Sequence, residues 1–302
     1  MKILLTGANG LLGQKLVELL GSRPGHSVLA TGRGPCRIES LPSNVLYESC
    51  DISSAASVTA IFDAFRPDAV IHTAAMTNVD ECELHPEACR RQNVEATANI
   101  IRASENCGAH LIHLSTDFIF DGSAGPYREE DAPNPISIYG KSKLDAEELV
   151  TKAGCAWSIV RTVLVYGIAP GLSRSNIILW VKASLEQGKE IQVVDDQFRT
   201  PTLAEDLAMG CLLIAEKKAE GIFNISGKDF LTPYDMALQT ADFFSLNKGL
   251  IKKATAATFS QPAKRPPRTG FDISKAQKML DYKPHSFQEG ISILAAQLNQ
   301  AR

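Results

Sequence analysis

The sequence predicts an α/β fold: a doubly wound parallel sheet with helices on both faces, followed by a smaller C-terminal α/β unit. Three observations carry this. First, an apolar run, Ile3 to Leu5, stops at Thr6-Gly7 and leads through Gly10 and Gly13 into Leu12, Leu16, Leu19 and Leu20 at helical spacing. A strand, a glycine turn and a helix therefore meet at the start of the chain. Second, short apolar runs then alternate with amphipathic stretches as far as residue 167, the order that builds a parallel sheet. Third, beyond that point the alternation loosens. The expected division is 1–167 for nucleotide binding and 168–302 for a substrate, with segments near 190–226 returning to the first part.

The glycine turn sets the chemistry of the N-terminal half. Backbone N–H groups at a helix N-terminus favour an anion, and glycine lets a pyrophosphate approach closely. Ser27 to Thr31 is the second predicted strand and runs into Gly32-Arg33. An acidic residue is usual there when ribose hydroxyls are bound; an arginine instead suits a 2′-phosphate, which favours NADP. Val45 to Ser49 is the third strand, followed by Asp51. Val58, Ile61, Phe62 and Phe65 then mark one face of a helix, and Ala69 to Thr73 is a fourth strand running into Ala74-Ala75. The segment Met76 to Glu83, with Thr77, Asn78 and Asp80, reads as a polar loop that either faces substrate or is a solvated turn. Pro86 starts a long helix, carrying Asn93, that Gly108 stops. His110 to Ser115 is the fifth strand. His110 and His113 are three apart, point to opposite faces and read as packing residues, not as joint metal ligands.

Thr116 and Asp117 follow at the strand end. A proline-rich loop then leads to Tyr139, which opens the helix YGKSKLDAEELV. Of the six tyrosines, only Tyr139 has a lysine four residues later, Lys143, a spacing that stacks both side chains on one helix face. An unperturbed phenol ionises near 10, and the lysine is expected to lower it for acid–base work. Thr116 is placed to hold a carbonyl oxygen by its hydroxyl. Trp157 to Val165 is the sixth strand. Pro170 to Ser175 reads as a linker, followed by a helix from Ile177 to Gln187 and a strand from Ile191 to Val194. Asp195 to Thr202 is turn-rich, Leu203 to Glu216 a helix and Phe223 to Ser226 a short strand. Thr232-Pro233 caps another helix, and Ser286 with Glu289 forms a capping box for the last.

Composition excludes several classes. Of 302 residues, 44% are hydrophobic and the net charge is −3, so the chain supports a sizeable core and carries no basic field for nucleic acid or an anionic membrane. Seven dispersed cysteines without a C-x-x-C pair suit a reducing compartment and offer no zinc site. No apolar run reaches membrane-spanning length, and the start of the chain is too short in apolar residues for a signal peptide. A cytoplasmic protein without a metal is expected.

TGANGLLG together with YGKSK resembles the extended short-chain dehydrogenase/reductases. STDFIFDG, YGKSKLDAE, RTVLVYG, DQFRTPT and FNISG narrow the likeness to the dTDP-4-dehydrorhamnose reductase branch, over nearly the whole chain. The resemblance implies a Rossmann-type domain, a C-terminal substrate domain, and NADPH-dependent reduction of a 4-keto sugar attached to a nucleotide, with NADH the alternative donor. It implies catalytic roles for Thr116, Tyr139 and Lys143. It implies cofactor binding by Gly7, Asn9, Gly10, Leu11, Leu12, Gly13, Arg33, Asp51, Ile52, Ala74, Ala75, Tyr139 and Lys143. Thr77, Asp117, Phe118, Leu164 and Arg199 are the expected substrate residues, and any self-association is expected to give a homodimer. Phe118 and Leu164 stand where the branch often has tyrosine and tryptophan, which removes two polar tips from the sugar side of the pocket. Two other readings share the resemblance. One is an epimerase with resident NAD; dehydration is disfavoured because Phe118 replaces the acid of a Thr-Asp-Glu motif. The other is a non-catalytic subunit of the methionine adenosyltransferase type.

Overall fold

The computed structural model describes residues 1–172 and 176–300. The expected linker Pro170 to Ser175 therefore falls partly outside the described residues. Strand β1 (Lys2–Thr6) enters helix α1 (Leu11–Gly21) through the glycine turn, and β2 (Ser27–Gly32), β3 (Val45–Ser49), α2 (Ala55–Phe65) and β4 (Ala69–His72) follow. Helix α3 (Val79–Leu84) occupies most of the segment expected to be a loop. Its signal is local: the Asn78 side chain accepts from the Glu81 N–H, and Asp80 and Glu81 stand in the first turn. Six residues are too few to show a helical period. The long helix begun by Pro86 is interrupted: α4 (Pro86–Arg90) passes through a π turn (Arg91–Glu95) into α5 (Ala96–Cys107), which Gly108 ends with φ +69.

β5 (His110–Thr116) leads to α6 (Ile138–Val150), capped by Ser137. The sixth strand is shorter than expected. β6 (Trp157–Thr162) stops before Leu164, whose φ of +37 turns the chain, and β7 (Val165–Tyr166) pairs elsewhere. The C-terminal half comprises α7 (Ile177–Glu186), β8 (Ile191–Val194), β9 (Thr202–Leu203), α8 (Ala204–Lys217), β10 (Gly221–Asn224), α9 (Pro233–Phe243), β11 (Ile251–Ala254), α10 (Ser274–Leu280) and α11 (Phe287–Gln300). The expected Thr232 cap and Ser286–Glu289 capping box both form, and Thr232 further completes a box with Asp235 that was not expected.

The main sheet is Rossmann-type: seven strands in the order β10-β6-β5-β4-β1-β2-β3, all parallel. Alternation along β1 shows why. Ile3 and Leu5 pack with Leu16, Val17 and Leu20 of α1 and with Leu207, Cys211 and Leu212 of α8. Leu4 faces the other layer, with Val58, Ile61 and Phe62 of α2 and Ile100 of α5. Both faces are covered, so the strands are apolar throughout. The order reverses between β1 and β4, and a crevice opens there beyond the strands' carboxyl ends. β8, expected near the main sheet, instead pairs with β11. Ile191 and Val193 point into a separate core with Val181 and Leu185 of α7 and Ala237 and Ala241 of α9.

Candidate functional site

A cleft of about 1070 Å³ lies over the carboxyl ends of the strands. Its floor begins at the glycine turn. Gly7 has φ +76, and a Cβ there would stand 2.6 Å from Thr73 Oγ1 and 2.8 Å from the Ala74 N. A Cβ on Gly13 would lie 2.2 Å from the Gly7 carbonyl oxygen, so α1 can seat against the turn only with glycine there. Gly10 is the N-cap and supplies no side chain to the first turn. Gly10, Leu11, Leu12 and Gly13 line the cleft, so an uncapped eleven-residue helix presents its first N–H groups to it. These features fit a dinucleotide pyrophosphate.

The remaining cofactor candidates surround this floor. Ile52, Ala74 and Ala75 line the same cleft. Asn9 also borders it, but its side chain is occupied locally: it donates to Pro35 O at 3.1 Å and Tyr47 Oη at 3.0 Å and accepts from the Arg37 N–H at 2.9 Å. It shapes the loop after β2. Arg33 and Asp51 line an adjoining pocket of about 470 Å³ together with Ser53, Arg91 and Gln92. Hydrogen bonds from Ser53 hold the Asp51 carboxyl below its usual range, helped by the Arg33 charge. Arg91, on the π turn, adds a second cation that sequence spacing did not single out.

At the other end three side chains meet. Thr116, at the end of β5, and Tyr139 and Lys143, one turn apart on α6, all line the cleft. Thr116 Oγ1 donates to Asp117 Oδ1 at 3.1 Å and accepts from the Phe118 N–H at 3.3 Å. The Tyr139 ring stands edge-on to Phe118, with centroids 5.7 Å apart, and packs against Cys82 and Cys89. Burial pushes its phenol above the usual 10, against a hydrogen bond with Thr116 that pulls it down. The expectation that Lys143 lowers it is not met: Lys143 is itself buried, which brings it down to about 8, and its Nζ donates to Leu114 O at 2.6 Å and meets His113 Nε2 at 3.2 Å. His113 is thus more than the packing residue expected of it. Its position on the strand leading to Thr116 was the available signal; the partner on α6 was not readable from spacing.

All five expected substrate residues border the cleft. Thr77 is exposed at its rim and Leu164 is 43% exposed at its mouth. Phe118 forms part of the wall beside Tyr139. Asp117 and Arg199 are buried and bound to the protein itself. Arg199 Nε lies 3.7 Å from Asp117 Oδ2, and the guanidinium donates to the carbonyls of Phe198, Pro266 and Pro267. Asp117 also accepts from the Thr269 hydroxyl. Burial raises the Asp117 acid and the Arg199 charge opposes that rise. The pair ties the end of β5 to the segment around residues 266–269, closing the cleft from the C-terminal side. Arg265 reinforces the closure by pairing with Asp80 of α3 at 2.7 Å. Among the described residues no group of acidic, histidine or cysteine side chains could hold a metal ion, and no helix is long and apolar enough to cross a membrane.

Comparison with known proteins gives the following. The family model described as RmlD substrate binding domain matches residues 1–300. The chain is 31% identical to methionine adenosyltransferase 2 subunit beta of Bos taurus, over 92% of this chain and 82% of that protein. It is 31% identical, over 98% of both chains, to the Haloferax volcanii protein named "Probable low-salt glycan biosynthesis reductase Agl14". The dTDP-4-dehydrorhamnose reductase of Bacillus anthracis str. Ames, solved in complex with NADP, superposes with a TM-score of 0.83 at 25% identity, covering 98% of this chain and 99% of that one.

Proposed function

The chain belongs to the RmlD substrate binding domain family, a branch of the extended short-chain dehydrogenase/reductases, and from that premise we propose that it reduces the 4-keto group of a nucleotide-linked sugar with NADPH. The observation that carries this reading is the convergence of the Tyr139 phenol, the Thr116 hydroxyl and the Lys143 ammonium at one end of a cleft whose other end is an uncapped helix N-terminus. Bound NADPH supplies a hydride. The protein's residues do the rest. Gly10 to Gly13 and the first turn of α1 hold the pyrophosphate. Arg33, with Arg91 beside the same pocket, holds the 2′-phosphate. Lys143 binds the ribose next to the nicotinamide. Thr116 turns its hydroxyl from Asp117 to donate a hydrogen bond to the carbonyl oxygen and orients it. Tyr139 gives its proton to that oxygen, so the C=O bond becomes C–H and O–H. The raised phenol suits the reductive direction, because Tyr139 remains protonated at neutral pH; the phenolate left after transfer forms near the Lys143 charge.

The test is NADPH oxidation by the purified protein against a panel of nucleotide-linked 4-keto sugars. Turnover with any member supports the reading. Tight NADPH binding with no turnover on the whole panel would refute it and favour a non-catalytic subunit, the reading suggested by the 31% identity to methionine adenosyltransferase 2 subunit beta.

A further inference from the structure

Behind the cleft floor lies a group of buried side chains to which the mechanism above assigns nothing: His72 on β4 and His113 on β5, 1% exposed each, with ring centroids 5.3 Å apart and planes tilted by 36°. Hydrogen bonds determine which nitrogen of His72 carries its proton, whereas His113 Nδ1 has no hydrogen-bond partner among the described residues. Thr97 Oγ1 donates to Asn93 O at 2.7 Å, so its contact with His72 Nε2 at 3.3 Å must be one in which the imidazole donates. His72 Nδ1 is then bare and accepts from Thr6 Oγ1 at 2.7 Å. Both nitrogens of His72 are satisfied in one neutral tautomer. Burial brings it to about 3, so it stays neutral at physiological pH. His113 differs. Its Nε2 faces Lys143 Nζ at 3.2 Å, and an ammonium has no lone pair with which to accept.

We propose that His113 is a positioning residue for Lys143: a neutral imidazole whose bare Nε2 accepts one ammonium proton. Leu114 O takes a second proton at 2.6 Å. With two of its three N–H bonds held from the sheet side, the third is aimed into the cleft, where the ribose lies under the reading above, on which this inference rests. The titratable groups facing His113 are His72 from β4 and Lys143 from α6. A charged His113 would set two cations 3.2 Å apart, with both side chains buried. The tether therefore depends on neutrality, and burial lowers the His113 pKa well below its usual value.

The test compares wild type, His113→Gln, which keeps an acceptor near the Nε2 position, and His113→Leu, which has none. Imidazole ¹⁵N spectra of the wild type should show His113 neutral with Nε2 unprotonated. Losing a hydrogen bond to a charged group should lower kcat about tenfold in the leucine variant with the sugar KM nearly unmoved. NADPH affinity should fall about fivefold, and glutamine should restore both to within about twofold. A protonated Nε2, equal impairment of the two variants, or an unimpaired leucine variant would overturn the proposal. If the leucine variant does not fold, the ¹⁵N signature and a glutamine variant near wild-type values remain as the test. If wild type reduces no 4-keto sugar, the reductase reading fails by itself; His113 is then judged by the spectra and NADPH binding, and wild type failing to bind NADPH overturns both.

Discussion

The pH dependence of turnover follows from the burial of Lys143. Taking its ammonium out of water lowers it from the usual 10.5 to about 8, about 3 kcal/mol of lost preference for the charged form. The lysine is charged below pH 8 and neutral above it. Because kcat/KM reports the free protein's ionisations, it should be level below about pH 8 and fall about tenfold per pH unit above. The fall should end in a plateau set by the protein without that charge. Tyr139 does not contribute in this window, since burial keeps its phenol above 10. The neighbouring Cys89 thiol is also lowered from its usual range, chiefly by its contact with Cys82. Cys89→Ala therefore serves as the control and should leave the limb near 8 in place. The same group marks stability with the opposite sense. A lysine whose folded value lies below its unfolded one opposes folding when protonated, so the penalty is full below about pH 8 and is relieved as pH rises toward 10.5. Lys143→Met should flatten both profiles, with turnover near the wild-type alkaline plateau. The measurements are NADPH oxidation rates and urea midpoints across the pH range. A limb that appears only near 10, or one that persists in Lys143→Met, would refute the reasoning.

Three further outcomes are expected. Tyr139→Phe should lower turnover roughly 10²- to 10⁴-fold, the usual worth of a general acid, while NADPH affinity by fluorescence titration stays within about twofold; lost binding would show that the ring, not the proton, is what matters. Arg33→Asp should weaken NADPH roughly 10- to 100-fold relative to NADH, from loss of charge-assisted bonds to the 2′-phosphate; an unchanged ratio of the two affinities removes that assignment. Gly13→Ala places a methyl 2.2 Å from the Gly7 carbonyl oxygen and 2.6 Å from Ala8 Cα, both backbone atoms, so it should cost about 1–3 kcal/mol of stability and abolish NADPH binding. A normal melting temperature with normal binding would mean that α1 and the turn are not packed as described.

The chain by itself determined whatever depends on neighbours in sequence. The glycine spacing from Gly7 to Gly13, the strand–helix alternation, the one-turn separation of Tyr139 and Lys143, the Thr232 cap and the Ser286–Glu289 capping box involve residues within a few positions of each other, where backbone geometry dictates which atoms can meet. The helix α3 was also readable through its Asn78 cap, but it is too short for periodicity to outweigh its polarity. What tertiary structure alone decided are the contacts that close over long separations: Arg199 and Thr269 on Asp117, Arg265 on Asp80, His113 against Lys143, and the pairing of β8 with β11. Burial is the other decision of this kind. An amine one turn away predicts a lowered phenol in water, yet desolvation raises the phenol and lowers the amine when both are enclosed. The degree of enclosure is a property of the packed whole, summed over elements that no local window contains.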